Sequence, residues 1–192
     1  MGLRDVLFGR KQLKDAAGER LFAISTARIT LETELDLRST RAAGVCFKAL
    51  SAGEFVRAEN ELQQLLDAVA VESGSKLERH TDEFGFEWLV VRDGDFEDLV
   101  TTVHLVASEF ESRGFGPQLL AAVFPFERKG FDGGRVYWIY GFKRGAFWPF
   151  VPKGEDKERD NAEELELKAK LERELPVEQD LSRWFAVFDA PV

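Results

Sequence analysis

A chain of 192 residues is long enough to bury a substantial hydrophobic core within one domain. Hydrophobic residues make up 44% of the chain and charged residues 32%, a composition that excludes wholesale disorder. Because 35 acidic residues stand against 26 basic ones, the net charge of −9 disfavours non-specific attraction to nucleic acid and to anionic lipid. We therefore expect a folded, acidic protein that does not bind nucleic acid.

The cysteine count and the hydropathy pattern predict a cytosolic protein. Cys46 is the only cysteine, so no disulfide can form within the chain, which suits a reducing compartment. The longest apolar stretch, Leu119–Phe126, falls well short of the roughly 20 residues that span a membrane. Arg4 and Arg10 interrupt the start of the chain, which therefore lacks the apolar core of a signal peptide.

Residues 1–20 are predicted to form a short amphipathic segment that precedes one α+β domain over residues 21–192. Within Met1–Lys14, leucines and Val6 follow one side, whereas arginines and lysines give the segment a basic character. Such a segment can fold back on the domain, or it can associate peripherally with a partner or with the inner face of the membrane. These alternatives remain open.

Two strands are predicted at the start of the domain. Thr26–Leu37 alternates apolar and polar residues, as does a strand with one face in water. Gly44–Leu50 is predicted to be the next strand and to pair with it through a turn. Cys46 lies inside this strand, and we interpret it as a buried structural thiol rather than a nucleophile.

Three helices are predicted from their caps and their apolar periodicity. Ser51 and Glu54 have the spacing of a capping box and begin the first helix. Asp95 caps the second helix, which stops at Gly114. The third, Asp156–Leu175, is heavily charged. The apolar stripe of the second helix is Phe96, Leu99, Val100, Val103, Val106, Ala107 and Phe110.

The remaining elements are strands, which complete an α+β pattern. Trp184–Phe188 can return as a terminal strand or pack as an aromatic plug. The predicted order is β-β-α-β-β-α-β-β-β-α-β, in which hairpins alternate with single helices. This order predicts an antiparallel sheet with helices packed on one face, a two-layer sandwich. The other predicted strands are Lys76–His80, Phe84–Arg92, Leu119–Arg128, Arg135–Lys143 and Ala146–Val151.

The sequence contains no motif that indicates catalysis, a cofactor or a metal. The two histidines, His80 and His104, lie on different predicted elements and lack the spacing of metal ligands. No phosphate-binding glycine loop and no nucleophile elbow occurs. We therefore expect a protein that is not an enzyme and has no cofactor. A hydrolase based on carboxylates is the enzymatic alternative that the residues permit.

Tyr137–Lys153 combines aromatic and basic side chains in an otherwise acidic chain. Aromatic residues beside Arg and Lys are typical of protein interfaces, and also of grooves for single-stranded nucleic acid. The same pattern is compatible with a β-hairpin whose rings face the core. The candidate partner-binding residues are Trp138, Phe142, Lys143, Arg144, Phe147, Trp148, Phe150 and Lys153.

Several segments spread over nearly the whole chain together resemble the PspAB family, which is associated with the phage-shock protein PspA. The resemblance implies an accessory role in an envelope-stress system, with a PspA-like coiled-coil protein as partner. It implies no active site. The element order is also similar to that of small α+β secretion chaperones, which leaves a peptide-binding module as the alternative. The segments are Gly44–Leu50, Arg92–Val106, Arg113–Leu120, Phe142–Pro152 and Glu174–Phe185.

Overall fold

A computed structural model describes residues 18–49, 64, 67–69, 71–128, 134–154 and 157–192. Its helices, within those ranges, include α1 (Ala23–Glu34), α2 (Phe96–Ser112) and α3 (Asn161–Leu171). Short 3₁₀ helices occupy Gly116–Gln118 and Leu181–Arg183. The strands are β1 (Leu37–Ser39), β2 (Ala42–Lys48), β3 (Lys76–Thr81), β4 (Phe86–Arg92), β5 (Leu119–Arg128), β6 (Arg135–Gly141), β7 (Ala146–Phe150), β8 (Pro152–Lys153) and β9 (Glu158–Arg159).

Strands β1 to β7 form one antiparallel sheet. Its order is β3-β4-β2-β5-β6-β7, and β1 pairs with β5 beside β2. Strands β8 and β9 form a separate small hairpin. Together with the helices, this antiparallel sheet confirms the predicted α+β fold.

Helix α2 covers the middle of the sheet with the stripe that the sequence predicts. All the residues of that stripe are buried. The Phe96 ring lies between Phe124 and Phe126 of β5, at centroid distances of 6.2 Å and 5.8 Å. The Asp95 side chain accepts hydrogen bonds from two backbone N–H groups of the first turn, as expected of a helix cap. Gly114 follows the helix with a φ of 85°, a conformation that glycine adopts without strain.

The predicted strand Thr26–Leu37 is wrong, because most of this segment is helix α1. Ile24, Ala27 and Leu31 are fully buried at helical spacing, whereas Ile29 is 60% exposed. Packing on α2 and β1 therefore favours the helix over the period-two alternation of the same segment. Strand pairing begins only at Leu37, in the short strand β1.

Other predictions differ from the structure in detail. Trp184–Phe188 forms no strand, so the predicted terminal strand is wrong. Trp184 alone packs as a plug: it is buried and donates its Nε1–H to the carbonyl of Glu178, whereas Phe185 is 66% exposed. The helix predicted over Asp156–Leu175 spans Asn161–Leu171 and is capped by Asp160. The predicted capping box at residues 51–54 and the segment 1–17 lie outside the described residues.

Candidate functional site

The sheet has an open cleft that is lined by strand residues on the face turned away from α2 and also by residues of α2, among them His104 and Glu111. Phe47 faces α2, where its ring packs against Phe110 at a centroid distance of 4.8 Å. Because successive side chains of a strand point to opposite faces, Cys46 points away from α2. The strand register places Trp88 and Ala121 on either side of Cys46. These residues line a cavity of about 1360 Å³, which we call the sheet cleft.

Small residues on the strands let bulky side chains pack closely around the sheet cleft. Gly141 pairs with Ala121 across β5 and β6. A Cβ atom on Gly141 would lie 2.9 Å from Cζ3 of Trp148, closer than carbon atoms approach one another. A Cβ atom on Gly44 would lie 2.8 Å from Cγ1 of Val192. The absence of these Cβ atoms lets bulky side chains lie flat against the strands.

The segment from Phe185 to Val192 forms one wall of the sheet cleft. Trp148 donates its Nε1–H to the carbonyl of Phe185 over 3.0 Å. Further along the segment, the Phe188 ring packs edge-on against Phe150 at 4.9 Å. Phe185 itself remains 66% exposed at the mouth of the cleft.

The turn between β3 and β4 forms the opposite wall. The Asp82 carboxylate accepts hydrogen bonds from the backbone N–H groups of Phe84 and Phe86 and from Nε1–H of Trp88. The donor–acceptor distance is 2.9 Å in each of these bonds. These bonds fix the turn and orient Trp88 toward the cleft. Phe84 is 69% exposed at the top of this wall.

Lys157 joins the two walls across the mouth of the cleft. Its Nζ lies 2.7 Å from the Asp189 carboxylate on one wall and 3.4 Å from the Glu83 carboxylate on the other. The same ammonium lies 6.0 Å from the centroid of the Phe84 ring. Its hydrogen bond to Asp189 is the main reason that the pKa of Lys157 is raised above its usual value.

Charged side chains of both signs surround the far end of the cleft, where it meets α2 and the β6–β7 turn. Arg144 lies 3.4 Å from the carboxylate of Glu178, and Arg183 lies 2.8 Å from that of Asp180. Four exposed charges of the lining have no ion-pair partner among the described residues: Lys48, Lys143, Glu19 and Glu111.

Cys46 lies in the cleft but is not activated as a nucleophile. Burial, together with the nearby Asp82 carboxylate, raises the pKa of its thiol to about 12. A thiol with this pKa is almost wholly protonated at neutral pH, and the thiolate is the reactive form. The prediction of a buried Cys46 is therefore confirmed.

Among the described residues, no cluster of three or more His, Cys, Asp or Glu side chains could hold a metal ion. His104 contacts the Phe22 ring at 4.9 Å, and His80 lies 3.6 Å from Glu78. The two histidines therefore lie in separate surroundings.

The candidate residues of Tyr137–Lys153 do not form one exposed surface. Trp138, Phe147 and Phe150 have no exposed area, and Trp148 is 4% exposed. These rings contribute to the core, because β7 is covered on both faces and its outer edge pairs with Val177. A folded surface cannot present such rings to a partner.

The remaining candidates of that segment are more exposed. Phe142 is half-buried, and Lys143 and Arg144 are exposed on the β6–β7 turn; all three line the cleft together with Trp148. Lys153 is exposed on β8, 3.7 Å from Asp160 and outside the cleft lining. The candidates with substantial exposed area are therefore Phe142, Lys143, Arg144 and Lys153, and the first three lie together in one turn.

Sequence reasoning did not identify the residues that shape the cleft. Phe84 and Phe185 lie about a hundred positions apart, and only the tertiary fold brings them to the same cleft. A usable signal was the small residues Ala121 and Gly141 within otherwise bulky strands, since such positions often mark close approach or a hollow.

A model of the family described as PspA associated protein B matches residues 1–192. The chain belongs to the PspAB family. This finding confirms the resemblance seen in the sequence and covers the entire chain, including the strands and turns that line the cleft. The name of the family links its members to PspA.

No curated protein and no solved structure matches this PspAB-family chain. In the part of the chain that the structure describes, every helix is too short or too polar to cross a bilayer.

Proposed function

We propose that this PspAB-family protein is a non-enzymatic accessory protein of an envelope-stress system and binds a PspA-like coiled-coil protein directly. The observation that carries the proposal is the family match over residues 1–192, since the family is described by its association with PspA. Direct binding is the simplest physical basis for such an association.

The exposed turn Phe142–Arg144 is the contact that the geometry favours among the residues predicted from the sequence. Lys143 and Arg144 project from the end of the β6–β7 hairpin, and Phe142 lies half-buried beside them. Lys143 has no ion-pair partner among the described residues, whereas Arg144 lies 3.4 Å from Glu178, so Lys143 supplies the uncompensated positive charge of this turn on a chain with a net charge of −9. Such a charge attracts acidic side chains over roughly 8–10 Å at physiological salt.

A non-catalytic role is supported by the chemistry of the cleft. The Cys46 thiol has its pKa raised to about 12, which disfavours nucleophilic attack near neutral pH. The cleft lining is mainly aromatic and aliphatic, as in binding surfaces. A carboxylate-based hydrolase would instead need two carboxyl groups facing one substrate bond.

Co-elution of purified proteins tests the proposal. The wild-type chain and the PspA-like protein of the same genome are mixed at micromolar concentration and separated by size. The double substitution Lys143→Glu/Arg144→Glu should weaken binding at least about tenfold, because it reverses the charge of the turn. Lys168→Glu/Lys170→Glu on α3 is the matched control, since it makes the same charge change away from the cleft lining.

The outcomes separate the proposed function from the proposed contact. If the wild type and the control co-elute with the PspA-like protein and the turn variant does not, both stand. If all three co-elute equally, the accessory role stands and the turn is not the contact. If the wild type neither co-elutes nor cross-links, direct binding is wrong.

A further inference from the structure

The mouth of the sheet cleft carries exposed aromatic rings on both walls. Phe84 is 69% exposed and Phe185 is 66% exposed, and the floor between them contains Cys46, Ala121 and Trp88. Exposed apolar rings that border an apolar groove are typical of interaction sites, whereas single exposed apolar residues elsewhere on a surface are not. The cleft is therefore a candidate binding site for an apolar surface, whereas the turn Phe142–Arg144 at its rim attracts acidic groups.

The volume of the cleft favours a polypeptide over a small molecule. Sites for small molecules have volumes of roughly 300–1,000 Å³. The sheet cleft, at about 1360 Å³, is larger. An α-helix about 10 Å wide rises about 1.5 Å per residue, so roughly three turns fill a similar volume. One short helical segment matches the cleft in volume, and its entry requires the ion pairs of Lys157 across the mouth to open.

The charges around the cleft favour a helix that carries both signs. Lys48 and Lys143 are exposed cations of the lining, and Glu19 and Glu111 are exposed anions; none of the four has an ion-pair partner within the described ranges. A lipid or peptide whose charges all have the same sign would be attracted by two of these side chains and repelled by the other two. Helices of coiled coils carry both Glu and Lys beside an apolar stripe, so their side chains can pair with all four of these charges.

We infer that the sheet cleft binds one amphipathic, coiled-coil-type helix of the partner, with the apolar stripe of the helix on Cys46, Trp88 and Ala121. This inference rests on the proposed function, because it takes the PspA-like protein as the source of the helix. The mode is helix-in-groove recognition, in which an apolar face enters a hydrophobic groove and flanking charges set the orientation. Ring contacts from Phe84 and Phe185 then cover the two sides of the bound helix.

Filling the floor of the cleft tests the inference. Ala121→Trp places a large ring between Cys46 and Gly141, and aromatic residues are well accommodated in strands. We expect the dissociation constant for the purified PspA-like protein to rise at least about tenfold. Ala162→Trp on the exposed side of α3 is the matched control and should leave the constant unchanged. Circular dichroism and the melting temperature check that both variants fold.

Cys46 provides a second measurement that needs no substitution. A small neutral maleimide in large excess labels the thiol slowly at mildly alkaline pH, because only a small fraction of the thiol is thiolate there. The rate is measured in the full-length wild-type chain, with and without a saturating amount of the PspA-like protein. The labelling rate should fall at least about tenfold in the complex, because a bound helix covers the floor. Synthetic peptides of the amphipathic helices of the partner should reproduce the protection one at a time, which identifies the bound segment.

The possible outcomes distinguish the cleft inference from the proposed function. Loss of binding in Ala121→Trp with protection of Cys46 supports the cleft as the helix site. Equal binding by Ala121→Trp, with unchanged labelling in the complex, overturns the cleft inference and leaves the accessory role intact. No binding by the wild type overturns the proposed function itself. Protection of Cys46 by anionic phospholipid vesicles alone overturns the helix in favour of a lipid site.

Discussion

The chemistry of Cys46 follows from its position on the floor of the cleft. The residue is 8% exposed, between Trp88 and Ala121 on adjacent strands. Loss of hydration disfavours the thiolate, and the Asp82 carboxylate disfavours it further. The same burial that makes the thiol unreactive therefore links it to stability at high pH.

The substitution Cys46→Ala should reduce the loss of stability in alkaline solution. The pKa of the thiol is about 12 in the folded chain and 9.0 when the group is unperturbed, as in the unfolded chain. At a pH between these two values, only the unfolded chain loses the thiol proton. The free energy of unfolding therefore falls as pH rises above about 9. From pH 7 to about pH 10 the wild type should lose about 1.4 kcal/mol more than Cys46→Ala.

Urea unfolding of both proteins at the two pH values measures this difference. The comparison with Cys46→Ala removes the contributions of other titrating groups, since these are shared. Equal losses in the two proteins would show that the thiol titrates alike in the folded and unfolded chains.

Elements of the fold depend on close contacts that single residues permit. In the β6–β7 pair, the Trp148 indole packs against Gly141. In a second contact, the Glu164 side chain of α3 binds residues at and beyond the end of β7. The Glu164 side chain is 2% exposed and lies 2.8 Å from Nη2 of Arg159. It also accepts the backbone N–H of Val151 over 3.0 Å. One substitution can disrupt the contact between Gly141 and Trp148, and another can disrupt the contacts of Glu164.

Gly141→Ala should destabilise the β6–β7 pair by about 1–3 kcal/mol, because the new methyl group overpacks the contact with Trp148. The Cβ atom would lie 2.9 Å from Cζ3 and 3.2 Å from Cη2 of that ring. Gly94→Ala is the control, since no atom lies within 4 Å of its Cβ position. Urea unfolding measures both, and a Gly141→Ala protein as stable as Gly94→Ala would contradict the close packing.

Glu164→Gln should lower the free energy of unfolding by about 2 kcal/mol, because it removes the charge that faces Arg159 in a buried site. Glutamine keeps the size of the side chain and an acceptor for Val151. Glu166→Gln makes the same change at an exposed position of α3 and should have little effect. Similar stabilities of the two variants would mean that the pair with Arg159 does not hold α3 to the sheet.

The whole molecule brings distant segments together around the cleft. Lys157 contacts Glu83 and Asp189, which lie in the β3–β4 turn and in the last residues of the chain. Because these ion pairs are exposed, they hold the two walls only weakly and are screened by salt. The width of the cleft mouth should therefore respond to ionic strength.

Lys157→Met should raise the rate of Cys46 labelling about two- to fivefold at mildly alkaline pH, since exposed ion pairs hold the two walls only weakly. The wild type in roughly 1 M salt, where the screening length is about 3 Å, should approach the rate of the variant. Lys153→Met is the control, because Lys153 faces Asp160 and does not line the cleft. An unchanged rate in Lys157→Met would show that Lys157 does not limit access.

The sequence by itself determined the features that depend on local pattern. Capping by Asp95, the apolar stripe of α2 and the strands that became β3 to β7 are set by neighbours along the chain, so their periodicity is sufficient. Membership of the PspAB family was also recognisable from segments of the sequence alone.

Only the tertiary structure decided the features that depend on packing between distant segments. Thr26–Leu37 has strand alternation, yet burial on α2 and β1 makes most of it a helix. The strand β7 reads Ala-Phe-Trp-Pro-Phe and has no alternation of apolar and polar residues, and both of its faces are covered, by the core on one side and by Phe185 and Phe188 on the other. Periodicity shows that a segment has two faces; which of them meets water depends on what packs against each.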